Sequence, residues 1–189
     1  MRRVALFGGS FNPPHAGHVL VVAWLLSSKA ADEVWMLPTG VHPFGKGLAP
    51  FDERAAMVRA AVAPFGPAVR VEEIEKELPS PSFTIDTVVA LRSRHPDTLF
   101  RLVVGTDILL ESPKWKEFDR LKTLVELLPV RRAGVPGSEP DPDPAHPTPL
   151  FPEISSSDVR ARIARGDSVE GLVPAAVLDR IRAAALYRG

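Results

Sequence analysis

Apolar residues fall in short unbroken blocks along the first two thirds of the chain, most of them closed by glycine or proline. Arg3 to Phe7 is one such block, closed by Gly8-Gly9. A run this short, with no polar alternation, predicts a strand buried on both faces and entering a tight turn. From Ala16 to Ser28 the period changes: Val19, Leu20, Val22, Ala23 and Leu26 stand at helical spacing. Glu33 to Leu37 predicts a second strand, stopped by Pro38. Thr39 to Pro50, with three glycines and two prolines, predicts a loop. A second helix is expected over Phe51 to Ala63 with Asp52 as its N-cap, then a third strand over Val69 to Val71. Glu72 to Pro81 is polar and reads as an exposed connection. Ser82 to Arg94 predicts a third helix, and Leu99 to Val104 a fourth strand ended by Gly105. Leu121 to Val130 carries both patterns, with Val125 to Val130 allowing a fifth strand. Two short helices are expected at Ser156 to Gly166 and Pro174 to Leu186.

Strands alternating with helices predict an α/β fold: a Rossmann-like doubly wound parallel sheet, followed by short C-terminal helices. Residues 1–189 are read as one domain, a length that suits a single core. Ligands of such sheets bind beyond the carboxyl ends of the strands, so the residues following strands one, two and four should meet in one crevice. Pro136 to Pro152 holds seven prolines in seventeen residues and is expected to be a loop or linker.

Composition removes several classes. Lys plus Arg and Asp plus Glu are 23 each, so a broad basic face for nucleic acid or an anionic membrane is not expected, although one local anion pocket is compatible. The absence of cysteine removes disulfides, thiolate metal sites and cysteine nucleophiles. No run approaches the roughly 20 apolar residues of a membrane span, and the N-terminal apolar run is short for a signal peptide. A cytoplasmic protein is expected.

Two segments carry candidate chemistry. The first is Gly8-Gly9-Ser10-Phe11-Asn12-Pro13-Pro14-His15-Ala16-Gly17-His18. Glycines at a strand end let backbone N–H groups approach an anion, and the following helix points its positive end at the same place. His15 and His18, three apart, share a helix face and can donate to phosphate oxygens. The alternatives are a turn with two solvent-facing histidines, or a metal site needing further ligands such as His42 or Asp107. The second segment is Ile154-Ser155-Ser156-Ser157-Asp158-Val159-Arg160. Serines opening a helix cap it and offer an anion site, and Arg160, one turn in, leans back toward that site. A plainly capped surface helix is the alternative.

These residues carry a resemblance. The first segment resembles the Gly-Gly-[Ser/Thr]-Phe-[Asp/Asn]-Pro-x-His-x-Gly-His signature of the HxGH nucleotidyltransferases, complete over eleven positions. The second resembles their Ile-Ser-[Ser/Thr]-[Ser/Thr]-x-x-Arg signature. Along nearly the whole chain the sequence is similar to the bacterial nicotinate-nucleotide adenylyltransferases: Pro79 to Thr87 resembles their Pro-Ser-Tyr-Thr-x-x-Thr stretch, Val104 to Asp107 and Pro113-Lys114-Trp115 their Gly-x-Asp and Trp region, and Glu170 to Tyr187 their tail. The resemblance implies adenylyl transfer from ATP, with Mg²⁺, to nicotinate mononucleotide, giving deamido-NAD and pyrophosphate in NAD biosynthesis. It implies that His18, His15, Lys46 and Arg160 act on the phosphates. ATP would lie against Gly8, Gly9, Ser10, Phe11, His15, His18, Gly105, Asp107, Ile154, Ser156, Ser157 and Arg160. The acceptor would lie against Ser10, Lys46, Thr84, Ile85, Trp115 and Arg132, with no protein side chain on the metal. Asp107 would bond a ribose hydroxyl, main-chain N–H groups near Thr84 and Ile85 the nicotinate carboxylate, and Trp115 would stack on the pyridine. Without the resemblance, Trp115 reads equally as core, Asp107 as an exposed turn residue and Arg132 as part of a salt-bridged surface. Trp24 and Trp35 read as core.

The chain departs from the family at three places. Val41-His42-Pro43-Phe44-Gly45-Lys46 stands where a Pro-Pro-His-Lys-like loop is usual, with Lys46 keeping the phosphate role and His42 or no residue the histidine's. Phe83 replaces a tyrosine. The proline-rich segment is shorter. The rival readings are an adenylyltransferase for nicotinamide mononucleotide or phosphopantetheine, a cytidylyltransferase, a nucleotide-binding sensor and a structural adaptor. Whether the chain forms a homo-oligomer is left open.

Overall fold

The computed structural model describes residues 1–40, 47–110, 115–136 and 149–188. Six strands, all parallel, lie in the order β3-β2-β1-β4-β5-β6. They are β1 (Arg2–Gly9), β2 (Glu33–Pro38), β3 (Val69–Val71), β4 (Thr98–Gly105), β5 (Glu126–Arg132) and β6 (Leu150–Phe151). The helices are α1 (Ala16–Ser27), α2 (Phe51–Val62), α3 (Thr84–Arg94), α4 (Thr106–Leu109), α5 (Phe118–Leu124), α6 (Ser156–Arg165) and α7 (Ala175–Ala183). The chain builds outward from β1 to β2 and β3, then returns to β4 on the other side. The switch point therefore lies between β1 and β4, where a crevice opens.

The apolar blocks are continuous because both sheet faces are covered. Ala5, Val34, Met36 and Val103 pack with Val22 and Leu25 of α1, Met57 and Val58 of α2, and Val177 and Ile181 of α7. Val4, Leu6, Trp35, Leu37, Phe100 and Leu102 point the other way, onto Ile85, Val88 and Leu91 of α3 and Leu121 of α5. Each such fully buried side chain is worth about 1.5–3 kcal/mol.

Local signals misplaced some boundaries. Asp52 does not cap α2. The cap position is Pro50, and Asp52 instead bonds Lys76 at 2.5 Å, an ion pair formed across 24 residues of sequence. The helix expected from Ser82 starts at Thr84, because the Ser82 hydroxyl is taken by Glu75 and the Asp86 carboxylate receives the Phe83 N–H at 3.1 Å. The stretch read as an exposed connection holds a 3₁₀ turn at Ile74–Lys76, with Ile74 fully buried beneath it. The doubly patterned stretch divides into α5 and β5. Within the proline-rich segment, Leu150–Phe151 forms an edge strand: Arg131 N–H donates to Pro149 O at 2.9 Å and Ala133 N–H to Phe151 O at 2.8 Å. The middle of that segment lies outside the described residues. Trp35 is fully buried, and half-buried Trp24 packs edge-on against Phe151 with ring centroids 6.3 Å apart. Among the described residues, no helix is long and apolar enough to cross a membrane.

Candidate active site

β1 ends in Gly8-Gly9, and the chain turns through Phe11, whose φ is 46° and whose ring is buried. A Cβ at Gly9 would sit 3.1 Å from that ring, so the glycine lets the ring fold under the loop. His15 caps α1 and His18 is its third residue. The His15 N–H donates to His18 Nδ1 at 3.1 Å, a role usually taken by an acidic residue at this position. The two rings lie 3.8 Å apart between centroids. Gly17 has to be small: a Cβ there would stand 3.1 Å from the His15 ring.

Both histidines are neutral near pH 7. Burial pulls His15 down to about 4, aided by the positive charge of Arg132. Burial, His15 and Arg132 hold His18 well below its ordinary value. A neutral His18 whose Nδ1 accepts a hydrogen bond carries its proton on Nε2, which is left to donate to a ligand. This burial has a stability consequence. Folded His15 stays neutral to about pH 4, whereas an unfolded histidine takes its proton near 6.5, so the unfolded chain binds more protons between these values. Stability is complete above pH 6.5 and is lost as pH falls through 4, by about 3 kcal/mol from this group. Urea midpoints measured from pH 7 to 4 should fall steeply in the parent and less in His15→Gln. Equal falls in both would remove His15 as the cause.

The C-terminal helices close onto the same loop. Ser155 caps α6, its hydroxyl taking the Asp158 N–H at 3.0 Å. Ser156 donates its hydroxyl to Pro13 O at 2.8 Å. Arg160 donates Nη1 to Asn12 O at 2.7 Å and Nη2 to Ser157 Oγ at 3.3 Å. Tyr187 donates to Asn12 Oδ1 at 2.8 Å, and burial pushes its phenol pKa up. The helix start with its serines, and Arg160, are thereby placed beside His15 and His18.

At the end of β4, Asp107 pairs with Arg132 of β5. A Cβ at Gly105 would collide with the Asp107 carboxylate, 2.4 Å from Oδ1, so a side chain there would have to displace that carboxylate. Among the described residues, His15 Nδ1, Thr106 Oγ1 and Asp107 Oδ1 are buried with no hydrogen-bond partner, and all three stand near the β1–β4 crevice. Beside them a cavity of about 300 Å³ is lined by Gly8, Ser10, Glu75, Thr84, Gly105, Ile108 and Trp115, among others. Trp115 meets Phe118 edge-on at 5.9 Å.

Residues 6–162 match the cytidylyltransferase-like family model. An Anaeromyxobacter dehalogenans protein named "Probable nicotinate-nucleotide adenylyltransferase" is 44% identical over all of this chain and 98% of its own length. A Myxococcus xanthus protein of the same name is 38% identical over 98% of this chain and 94% of its own. The chain belongs to the nicotinate-nucleotide adenylyltransferase family. In fold, it superposes on Plasmodium falciparum nicotinic acid mononucleotide adenylyltransferase complexed with NaAD, with a TM-score of 0.80 at 17% identity, over 99% of this chain and 98% of the other.

The expected family positions divide into two groups. His15, His18, Ser156, Ser157, Arg160 and, through its charge on both histidines, Arg132 gather around the loop after β1. Ile154 stands just before α6, packed against the core, and its Cβ lies 3.9 Å from where a Gly17 Cβ would be. Gly8, Gly9, Ser10, Thr84, Gly105 and Trp115 line the cavity. The Ile85 side chain is in the core, leaving only its main chain for a ligand; as first residues of α3, Thr84 and Ile85 have N–H groups with no acceptor inside the helix. Phe11 likewise offers its main chain. His42 and Lys46 lie outside the described residues.

Sequence reasoning missed the roles of four residues. Arg54 is 1% exposed and donates to Ala49 O at 2.9 Å, Ser10 O at 2.8 Å and Gly40 O at 3.2 Å, joining both ends of the β2–α2 loop to the loop after β1. Its place on the buried face with Val58 and Ala61 was the signal available. Asn12 accepts from Ala49 N–H at 3.1 Å as well as from Tyr187. Glu75 and Tyr187 reach the site through folds of the chain that leave no local trace. Among the described residues, no group of three or more His, Asp or Glu side chains is placed to hold a metal ion.

Proposed function

We propose that this protein transfers the AMP part of ATP to nicotinate mononucleotide, releasing pyrophosphate and forming deamido-NAD for NAD biosynthesis, with residues 1–189 acting as one domain. The observation that supports it best is the meeting of the neutral His15–His18 pair with Arg160 and the serine-capped start of α6, beside a cavity holding Trp115.

The acceptor's phosphate oxygen attacks the α-phosphorus of ATP. The new P–O bond forms as the bond to the bridging oxygen breaks, and its electron pair leaves with pyrophosphate. The attacking phosphate is already ionised near pH 7, so no general base is required. Catalysis is then positioning and charge stabilisation. His18 Nε2–H donates to the α-phosphate as charge accumulates, with His15 beside it. Main-chain N–H groups of Ser10 and Phe11 orient the phosphates between Gly8-Gly9 and the start of α1. Ser156, Ser157, Arg160 and Lys46 hold the departing pyrophosphate, and Arg132 the acceptor phosphate. Gly105, Asp107 and Ile154 border the nucleoside. Trp115 stacks on the pyridine, whose carboxylate meets the Thr84 and Ile85 N–H groups. Mg²⁺ carried by ATP would supply charge neutralisation on the phosphates, with no cluster of side chains among the described residues to hold it.

The deciding measurement is pyrophosphate release from ATP and Mg²⁺, with nicotinate and nicotinamide mononucleotides tested side by side. A strong preference for the nicotinate form is expected. Preference for the amide would overturn the acceptor, and release with neither would overturn the reaction.

A further inference from the structure

Glu75 projects from the 3₁₀ turn Ile74–Lys76 into the wall of the cavity that holds Thr84 and Trp115. A carboxylate is an unexpected lining for a pocket that receives an acid. Each of its oxygens, however, already accepts a hydroxyl. The Thr87 hydroxyl, 3% exposed, donates to Oε1 at 2.5 Å. The Ser82 hydroxyl, 8% exposed, donates to Oε2, and the Gly40 N–H approaches Oε2 at 3.5 Å. Gly40 is itself pressed onto the turn, since a Cβ there would stand 3.2 Å from Glu75 O. Its carbonyl accepts from Arg54, which also holds Ser10 O.

We propose that Glu75 is a positioning residue that sets selectivity for an acid over an amide on the pyridine ring, an inference that rests on the acceptor named above. It does so in two linked ways. Held by Ser82 and Thr87, it fixes the start of α3, with its outward Thr84 and Ile85 N–H groups, against the end of β2 and the phosphate loop. With both oxygens turned onto Ser82, Thr87 and Gly40, it offers a carboxamide NH₂ less acceptor capacity than a free carboxylate would. A carboxylate released from Ser82 or Thr87 would accept from that NH₂ and repel the nicotinate carboxylate, inverting the discrimination.

The test measures kcat and KM for both mononucleotides in the parent, Thr87→Val, Ser82→Ala, Glu75→Gln and Thr87→Val/Glu75→Gln, with thermal melting as a control on folding. In Thr87→Val the nicotinate-to-nicotinamide ratio of kcat/KM should fall about tenfold, through a raised KM for nicotinate mononucleotide, with the KM for ATP little changed. Ser82→Ala, nearer the surface, should shift the ratio the same way if Thr87→Val folds poorly. Adding Glu75→Gln to Thr87→Val should recover much of the ratio, because the charge is gone. A ratio unmoved in both hydroxyl variants, or no recovery in the double variant, overturns the role of Glu75 while parental activity leaves the reaction standing. A parent inactive with both mononucleotides overturns both.

Discussion

Replacing His18 by alanine should lower the turnover number by about two to three orders of magnitude, the usual loss when one donor to transition-state charge is removed. The size follows from how His18 is held. Its Nδ1 is occupied by the His15 N–H at 3.1 Å, and its ring packs between His15 and Phe11 at centroid distances of 3.8 and 4.9 Å. The ring cannot swing, and Nε2–H is aimed before substrate arrives. A fixed donor costs no reorganisation during reaction, whereas solvent in the space left by alanine must be ordered anew. The effect should fall on kcat, with the KM for ATP changing less and the melting temperature by only a few degrees. A turnover number within threefold of the parent would remove His18 from the chemistry.

The largest effect on stability is expected at Arg54. In Arg54→Met the carbonyls of Ser10, Gly40 and Ala49 lose their partner in a place closed to water, where the side chain is 1% exposed. Each stranded carbonyl costs about 1–3 kcal/mol, so the total should reach about 3–5 kcal/mol. For a chain of this length that corresponds to a melting temperature lower by roughly 10 °C. Arg54→Lys should recover little, because a single ammonium group cannot reproduce a planar fork that reaches three carbonyls on two loops. Since Ser10 sits in the loop proposed to hold the phosphates, surviving Arg54→Met protein should also bind ATP more weakly. A melting temperature within two or three degrees of the parent would show that the loops find other partners.

The two predictions differ in how visible their residues were beforehand. His15 and His18 touch across one helical turn, and the glycines beside them answer to local needs. A strand end, a tight turn and a helix start are built from neighbours, so their chemistry can be read in order along the chain. The same holds for the serines of α6 and for the parallel sheet, whose apolar blocks reflect burial on both faces. Arg54 meets Ser10 across 44 residues, Glu75 meets Thr87 across 12, and Tyr187 meets Asn12 across 175. Nothing in the spacing of such residues announces a partner. Arg54 and Glu75 looked like ordinary charges on a helix and in a polar connection. Asp52 was misjudged for the same reason: a good capping residue found a lysine elsewhere in the fold.

By itself, then, the sequence determined the main strands and helices, the winding of the sheet and the two candidate segments, because periodicity, turn chemistry and capping act over a few residues. Only the tertiary structure decided which groups are neutral, which loops are locked together and which carboxylate lines the cavity beside Thr84 and Trp115. Desolvation and hydrogen bonding between distant segments exist only after the chain has packed, and they set the proton on His18, the grip of Arg54 and the engaged oxygens of Glu75.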